Sequence, residues 1–206
     1  MLVSELIPAE EAESRRLMIV LHGLGDSMEG YRWFPQLLNF PWLNYLLVNA
    51  PDAYYSGFAW FDLYTDSGVG IKRSRELLFE LLEDLEKKGF RPEEIMFFGF
   101  SQGCLMTYEV GFRYPRVFAG LIGVSGWPHE PSDLLAHQSP VAKQQKFLVT
   151  HGYHDPLVPF DKLKGVIGEL QQSGIHIEWH EFNKAHAIAS QDEDVIRKFI
   201  ATAYGK

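Results

Sequence analysis

Ile95-Met96-Phe97-Phe98-Gly99-Phe100-Ser101-Gln102-Gly103 is the stretch on which the reading of this chain turns. A short, continuous apolar run, Ile95 to Phe98, enters a serine flanked by glycines. A segment with helical spacing, Ser101 to Arg113, leaves it and stops before Tyr114-Pro115. An apolar run without alternation suits a strand covered on both faces, as in a parallel sheet. Gly99 to Gly103 has the form G-x-S-x-G, weak as a bare pattern but strengthened by the strand before it and the helix after it. A serine on a sharp strand-to-helix turn is held in a strained backbone conformation with its hydroxyl pushed outward. Glycines two positions either side let neighbouring backbone approach where a Cβ would collide. The rival reading is that the glycines only make a tight turn.

Working outward, four more apolar runs resemble the first. Leu17 to Leu21 ends at His22-Gly23, Tyr45 to Val48 at Ala50-Pro51-Asp52, Ala119 to Val124 at Ser125-Gly126, and Phe147 to Thr150 at His151-Gly152. Ile175 to Trp179 alternates apolar and polar residues, which predicts a strand with one solvated face. Between them lie amphipathic segments. From Ile71 to Lys88 the residues Leu77, Leu78, Leu81, Leu82 and Leu85 form a helical stripe opposite Glu76, Glu80, Glu83 and Glu86, with Gly89 as the stop. Phe160 to Gln172, ending at Gly174, and Asp192 to Tyr204 are further helices. Alternating strands and helices predict an α/β fold with a mainly parallel central sheet and helices on both faces. Residues 1–206 carry no repeat and no linker-like shift in composition, so a single domain is expected. The stretches Tyr54 to Gly70 and Trp127 to Gln145 resist assignment.

Composition bounds the function. For 206 residues and 23.6 kDa, area scaling gives roughly 10,000 Å² folded against about 34,000 Å² extended, enough burial for a full core. The single cysteine, Cys104, excludes an intramolecular disulfide framework and a cysteine-rich zinc site. A net charge of −8 argues against nucleic acid or an anionic membrane as an electrostatic partner. The start, Met1-Leu2-Val3-Ser4-Glu5, lacks a basic region followed by an apolar one, so a cytoplasmic protein is expected. No apolar run approaches the ~20 residues of an integral membrane span. The aromatic content of 14% leaves open a homodimer face or a lipid-facing patch.

A serine hydroxyl is a poor nucleophile until a base takes its proton, and the base needs an orienting acid. On this type of turn the chain order is serine, acid, histidine. Asp155 lies in the loop that follows the Phe147 strand, and His186 in the loop that follows the strand beginning at Ile175; both are strand-end positions where crevices open in α/β sheets. Among the other histidines, His22, His151 and His154 fit hydrogen-bonded turn residues, while His129 and His137 sit in a polar loop. His176, Glu178 and His180 share one strand face; a solvated face explains them better than a metal, and no metal is expected. Backbone N–H groups at Gln102 and, in the loop after the first strand, at Leu24 are the expected oxyanion donors. Gly23-Leu24-Gly25 fails as a dinucleotide loop because Met28 stands where the third glycine would fall.

Taken together, Leu21-His22-Gly23-Leu24-Gly25-Asp26-Ser27, Ala59-Trp60-Phe61-Asp62, Gly99-Phe100-Ser101-Gln102-Gly103 and His151-Gly152 through Asp155 to Val158-Pro159 resemble the phospholipase/carboxylesterase family of α/β-hydrolases. The resemblance runs from about Leu17 to Ile200. It implies a cofactor-free serine hydrolase of carboxylic ester or thioester bonds, with a Ser101–Asp155–His186 triad and oxyanion donors at Leu24 and Gln102. The expected substrates are short- to medium-chain acyl esters, small-molecule or lipid, with an acylated protein as a further partner class. Lysophospholipase or protein-deacylating thioesterase activity is the alternative, and a catalytically silent binding protein the more distant one. Four departures stand out. Ala185-His186-Ala187 replaces the family's usual Gly-His-Glu, Cys104 stands where a second glycine is common, the stretch from Trp60 to Ile71 is shorter than in relatives, and the loop after Trp127-Pro128 also differs. Trp60, Phe61 and Trp127 are candidate walls of an apolar acyl pocket, each equally readable as packing. A small lid or none is expected.

Overall fold

Side chains along a strand point alternately to opposite faces, and in β2 (Leu17–Leu21) every one of them is apolar and buried. Leu17, Ile19 and Leu21 therefore enter one apolar core, while Met18 and Val20 enter another on the far side of the sheet. A computed structural model describes residues 1–65 and 67–206, with an accessible surface of 9573 Å². Its main sheet runs β1 (Ser4–Ile7), β3 (Asn44–Val48), β2, β6 (Ile95–Phe100), β7 (Gly120–Val124), β8 (Lys146–Gly152) and β9 (His176–Phe182) in spatial order. Only β1 is antiparallel, paired with β3.

Helices cover both faces. α2 (Ser67–Lys87), α3 (Gln102–Arg113), α4 (Pro131–Ala136) and α5 (Phe160–Gln172) bury Leu78, Leu105, Leu134 and Leu163 on the Leu17 side. α1 (Phe34–Leu38) and α6 (Ser190–Ala203) bury Phe34, Leu38, Ile196 and Ile200 on the Met18 side. The mainly parallel sheet with helices on both faces is the architecture the alternating pattern predicts. Among the described residues, no helix is long and apolar enough to cross a membrane.

Several elements lie beyond the sequence reading. β1 is a half-exposed edge strand with little apolar signal. The unassigned stretch from Tyr54 contains part of a small hairpin, β4 (Asp52–Tyr54) with β5 (Gly57–Ala59); residue 66 of that stretch lies outside the described residues. The hairpin is bound to the loop after β2: Gly25 N–H donates to Phe58 O at 2.8 Å, and Phe58 N–H to Asp26 O at 2.9 Å. α2 starts four residues before Ile71, and α1 and α4 are too short to show helical periodicity.

The chain leaves β2 for β3 on one side and returns to β6 on the other, so the order reverses between β2 and β6. Ligand crevices in open α/β sheets form at such a reversal, beyond the carboxyl ends of the strands. The loop after β2 and the turn after β6, carrying Leu24 and Ser101, both open there.

Candidate active site

Ser101 sits between β6 and α3 with φ 53° and ψ −115°, a conformation an L-residue adopts only when its surroundings enforce it. The flanking glycines are that enforcement. A Cβ on Gly99 would lie 2.2 Å from the Gly103 carbonyl oxygen, and one on Gly103 would lie 2.1 Å from the Leu21 carbonyl oxygen. The turn is thereby pressed between its own helix and β2. Ser101 N–H donates to Val124 O at 3.0 Å, tying it to the end of β7.

The three side chains named for catalysis meet across long stretches of chain. Ser101 Oγ and His186 Nε2 are 2.9 Å apart, and His186 Nδ1 lies 2.8 Å from Asp155 Oδ2. A carboxylate only accepts, so Nδ1 carries the ring proton and Nε2 offers its lone pair to the serine hydroxyl. Asp155 Oδ1 accepts the N–H groups of Leu157 and Val158, each at 2.9 Å. Burial alone would raise the Asp155 pKa. The Val158 amide, the His186 ring and the Leu157 amide outweigh it and hold the carboxyl below its usual range. Asp155 therefore stays ionised and fixes the imidazole.

Leu24 is half-buried and Gln102 buried. Among the described residues neither backbone N–H has a protein acceptor, which leaves both free to donate to a substrate oxygen. Sequence reasoning missed the side chain of Gln102. Its Nε2–H donates to Phe61 O at 3.0 Å, and its Oε1 accepts Trp60 N–H at 3.0 Å. The indole of Trp60 donates to His22 O at 2.9 Å, and Ala50 N–H donates to His22 Nε2 at 3.1 Å. Burial pushes the His22 pKa down, so this ring stays neutral as a bracket for the loop bearing Leu24. The pairing of Trp60-Phe61 with Gln102 crosses about forty residues of chain and has no local pattern to reveal it.

Trp60 and Phe61 are 0% and 1% exposed. Their place is in the core, clamping the serine turn through Gln102, and they offer no surface to a substrate. Trp127 instead is half-buried and lines a cavity of about 350 Å³ with Pro128, Pro131, Leu157, Val158 and Leu163. That cavity abuts the loop whose amides hold Asp155.

Three other histidines have partners of their own. His151 is buried, donates through Nε2 to Val158 O at 3.0 Å, and is kept neutral by burial. His137 lies 2.8 Å from Asp133, and His180 2.8 Å from Glu178 on the outer strand. Cys104, 0% exposed, packs under Gly123 and Gly126, and burial pushes its thiol up to about 12.

A family model described as phospholipase/carboxylesterase matches residues 3–204. An acyl-protein thioesterase 1 of Schizosaccharomyces pombe is 31% identical over 205 residues, 91% of this chain and 91% of that one. The acyl-protein thioesterase 1 of Candida albicans is 31% identical, with 94% of each chain covered. Among solved structures, the esterase PE8 superposes with a TM-score of 0.88 at 27% identity, covering 98% of this chain and 99% of the other. A Bacillus cereus carboxylesterase, 14% identical, shares the fold with a TM-score of 0.84 over 98% of this chain and 95% of its own.

Proposed function

The chain belongs to the phospholipase/carboxylesterase family and is an ester hydrolase, and from that premise we propose that Ser101, His186 and Asp155 hydrolyse acyl esters of short to medium chain length. The observation that carries this reading is the unbroken relay from Asp155 Oδ2 through the imidazole to Ser101 Oγ, with both contacts under 3 Å. Ser101 attacks the acyl carbonyl while neutral His186 takes its proton. The carbonyl oxygen, now negative, receives hydrogen bonds from Leu24 and Gln102 N–H, each of a kind worth about 10²- to 10³-fold in rate. Asp155 stabilises the imidazolium without itself being protonated. His186 then returns the proton to the leaving alcohol or thiol, which departs. Water, deprotonated by His186, repeats the attack on the acyl-enzyme; the bond from the acyl carbon to Ser101 Oγ then breaks, His186 gives the proton to Oγ, and the acid leaves. The apolar cavity beside Trp127 and Leu157 receives the acyl chain.

A thioester substrate is the second reading, supported by the relatives named acyl-protein thioesterase; an acylated protein is then the partner. Graded ester and thioester substrates of matched chain length separate the two. The mechanism itself is tested with Ser101→Ala on p-nitrophenyl butyrate, where kcat should fall by about 10⁴-fold or more. A fluorophosphonate should label the wild type at Ser101 and leave the variant untouched. Undiminished turnover in the variant would refute the assignment.

A further inference from the structure

Lys184 and Asp192 form a buried ion pair that the catalytic chemistry does not use. Their side chains are 4% and 0% exposed, and Lys184 Nζ donates to Asp192 Oδ1 at 2.6 Å and Oδ2 at 2.7 Å. Asp192 also accepts the Thr150 hydroxyl at 2.5 Å and Ala189 N–H at 2.7 Å. The pair closes a loop eight residues apart in sequence, and His186 lies inside it. Main-chain contacts extend the arrangement: His154 N–H donates to Lys184 O at 3.1 Å, one residue before Asp155. A Cβ on Gly152 would lie 2.2 Å from that same carbonyl oxygen.

The loop needs such an anchor. Ala185 and Ala187 flank the base, are exposed, and bring no polar side chain to hold it. Within residues 183–189 the side-chain hydrogen bonds are those of His186 itself and of Lys184. Burying opposite charges is a poor device for stability alone, because desolvation offsets their attraction and an apolar pair often does as well. What a two-oxygen contact with a lysine does supply is a fixed geometry. Thr150 lies on β8, whose end leads into the Asp155 loop, and Asp192 stands in the first turn of α6. We propose that the Lys184–Asp192 pair is a clip that sets the position of the His186 loop against Ser101 and Asp155, with Lys184 as a positioning residue for the base. The inference rests on the triad reading above.

The deciding variant is Lys184→Met/Asp192→Asn, which removes both charges together, leaves no unpaired ion, and keeps an acceptor for Ala189 N–H. Displacing a base by a fraction of an ångström should lower kcat on p-nitrophenyl butyrate about 10-fold or more while KM changes less than about 2-fold. The low-field proton resonance of His186 Nδ1–H should shift or broaden. Lys184→Arg, which keeps a cation facing Asp192, should retain most of kcat. A folded double variant with wild-type kcat and an unchanged resonance overturns the proposal, as does a loss of melting temperature with no loss of kcat. If the double variant does not fold, Asp192→Asn alone is read for the same kcat-against-KM split. Ser101→Ala is run alongside. Turnover surviving there refutes the triad, whereas an inert Ser101→Ala beside an unimpaired double variant refutes the clip alone.

Discussion

Replacing Gly103 by alanine sets two opposed effects against each other within the first turn of α3. In a helix, alanine is favoured over glycine by roughly 0.5–1 kcal/mol. Against that, the new methyl would meet the Leu21 carbonyl oxygen at 2.1 Å, its carbon at 2.6 Å and the His22 oxygen at 2.8 Å. Ordinary carbon–oxygen contacts begin at about 3.3 Å, so helix and β2 must separate by about 1 Å. Neither partner is a flexible side chain. Overpacking of this kind costs about 1–3 kcal/mol, and a backbone neighbour puts the cost at the upper end. The net destabilisation is therefore about 2 kcal/mol, or a melting temperature about 4–8 °C lower for a chain of this size. Activity should suffer more than stability. The displaced strand end leads directly into Gly23-Leu24, whose amide in the proposed oxyanion hole works in register with that of Gln102, and a misplacement of about 1 Å costs about 10²-fold in kcat/KM. Differential scanning fluorimetry and ester hydrolysis by the same preparation measure both. A variant that melts at or above the wild-type temperature with unaltered kcat/KM would refute the close-approach account of this glycine.

Other outcomes follow from the same contacts. Asp155 is held below the usual carboxylate range when folded, so the unfolded chain binds its proton more tightly; the stability this supplies is present above about pH 4 and is lost as pH falls through the folded value. Urea midpoints of Asp155→Asn should thus decline less than those of the wild type between about pH 5 and about pH 3, and parallel curves would contradict the assignment. Trp127→Ala should raise KM for p-nitrophenyl hexanoate about 4- to 15-fold, the equivalent of one or two methylenes losing contact, and leave the acetate ester nearly unchanged. An equal effect on both esters would remove the cavity from the acyl site. Cys104, with its thiol pushed up to about 12 by burial, should resist iodoacetamide at about pH 8 in the native protein and react in urea, as mass spectrometry would report.

The central strands were legible because a strand covered on both faces must be apolar at every position, as β2 and β7 are. β1 was not, since half of its four residues face solvent and its partner is remote in sequence. Nor were α1 and α4, each opening with proline near its start and too short for a helical period to register. At the site, strand ends and chain order were enough to name Ser101, Asp155 and His186, while the distances between them depend on folding of the whole sheet. Trp60 and Phe61 show the limit. Large aromatics beside a motif read equally well as pocket wall or as core, and only tertiary contacts with Gln102 separate the two. The Lys184–Asp192 contact was invisible for a related reason: two charges eight residues apart across a loop follow no periodicity.

That the sheet divides the interior into two apolar layers bears on how the protein can be re-engineered. Phe34 and Leu38 pack on one side, Leu105 and Leu134 on the other, with several strands between them. Substitutions that share no neighbour contribute nearly independent free energies. A stabilising change beneath α1 should accordingly add to one beneath α3 wherever the two share no neighbour, whereas changes beside Phe100, whose ring centroid lies 5.1 Å from that of His186, or on α6, which carries Asp192, call for activity to be measured again.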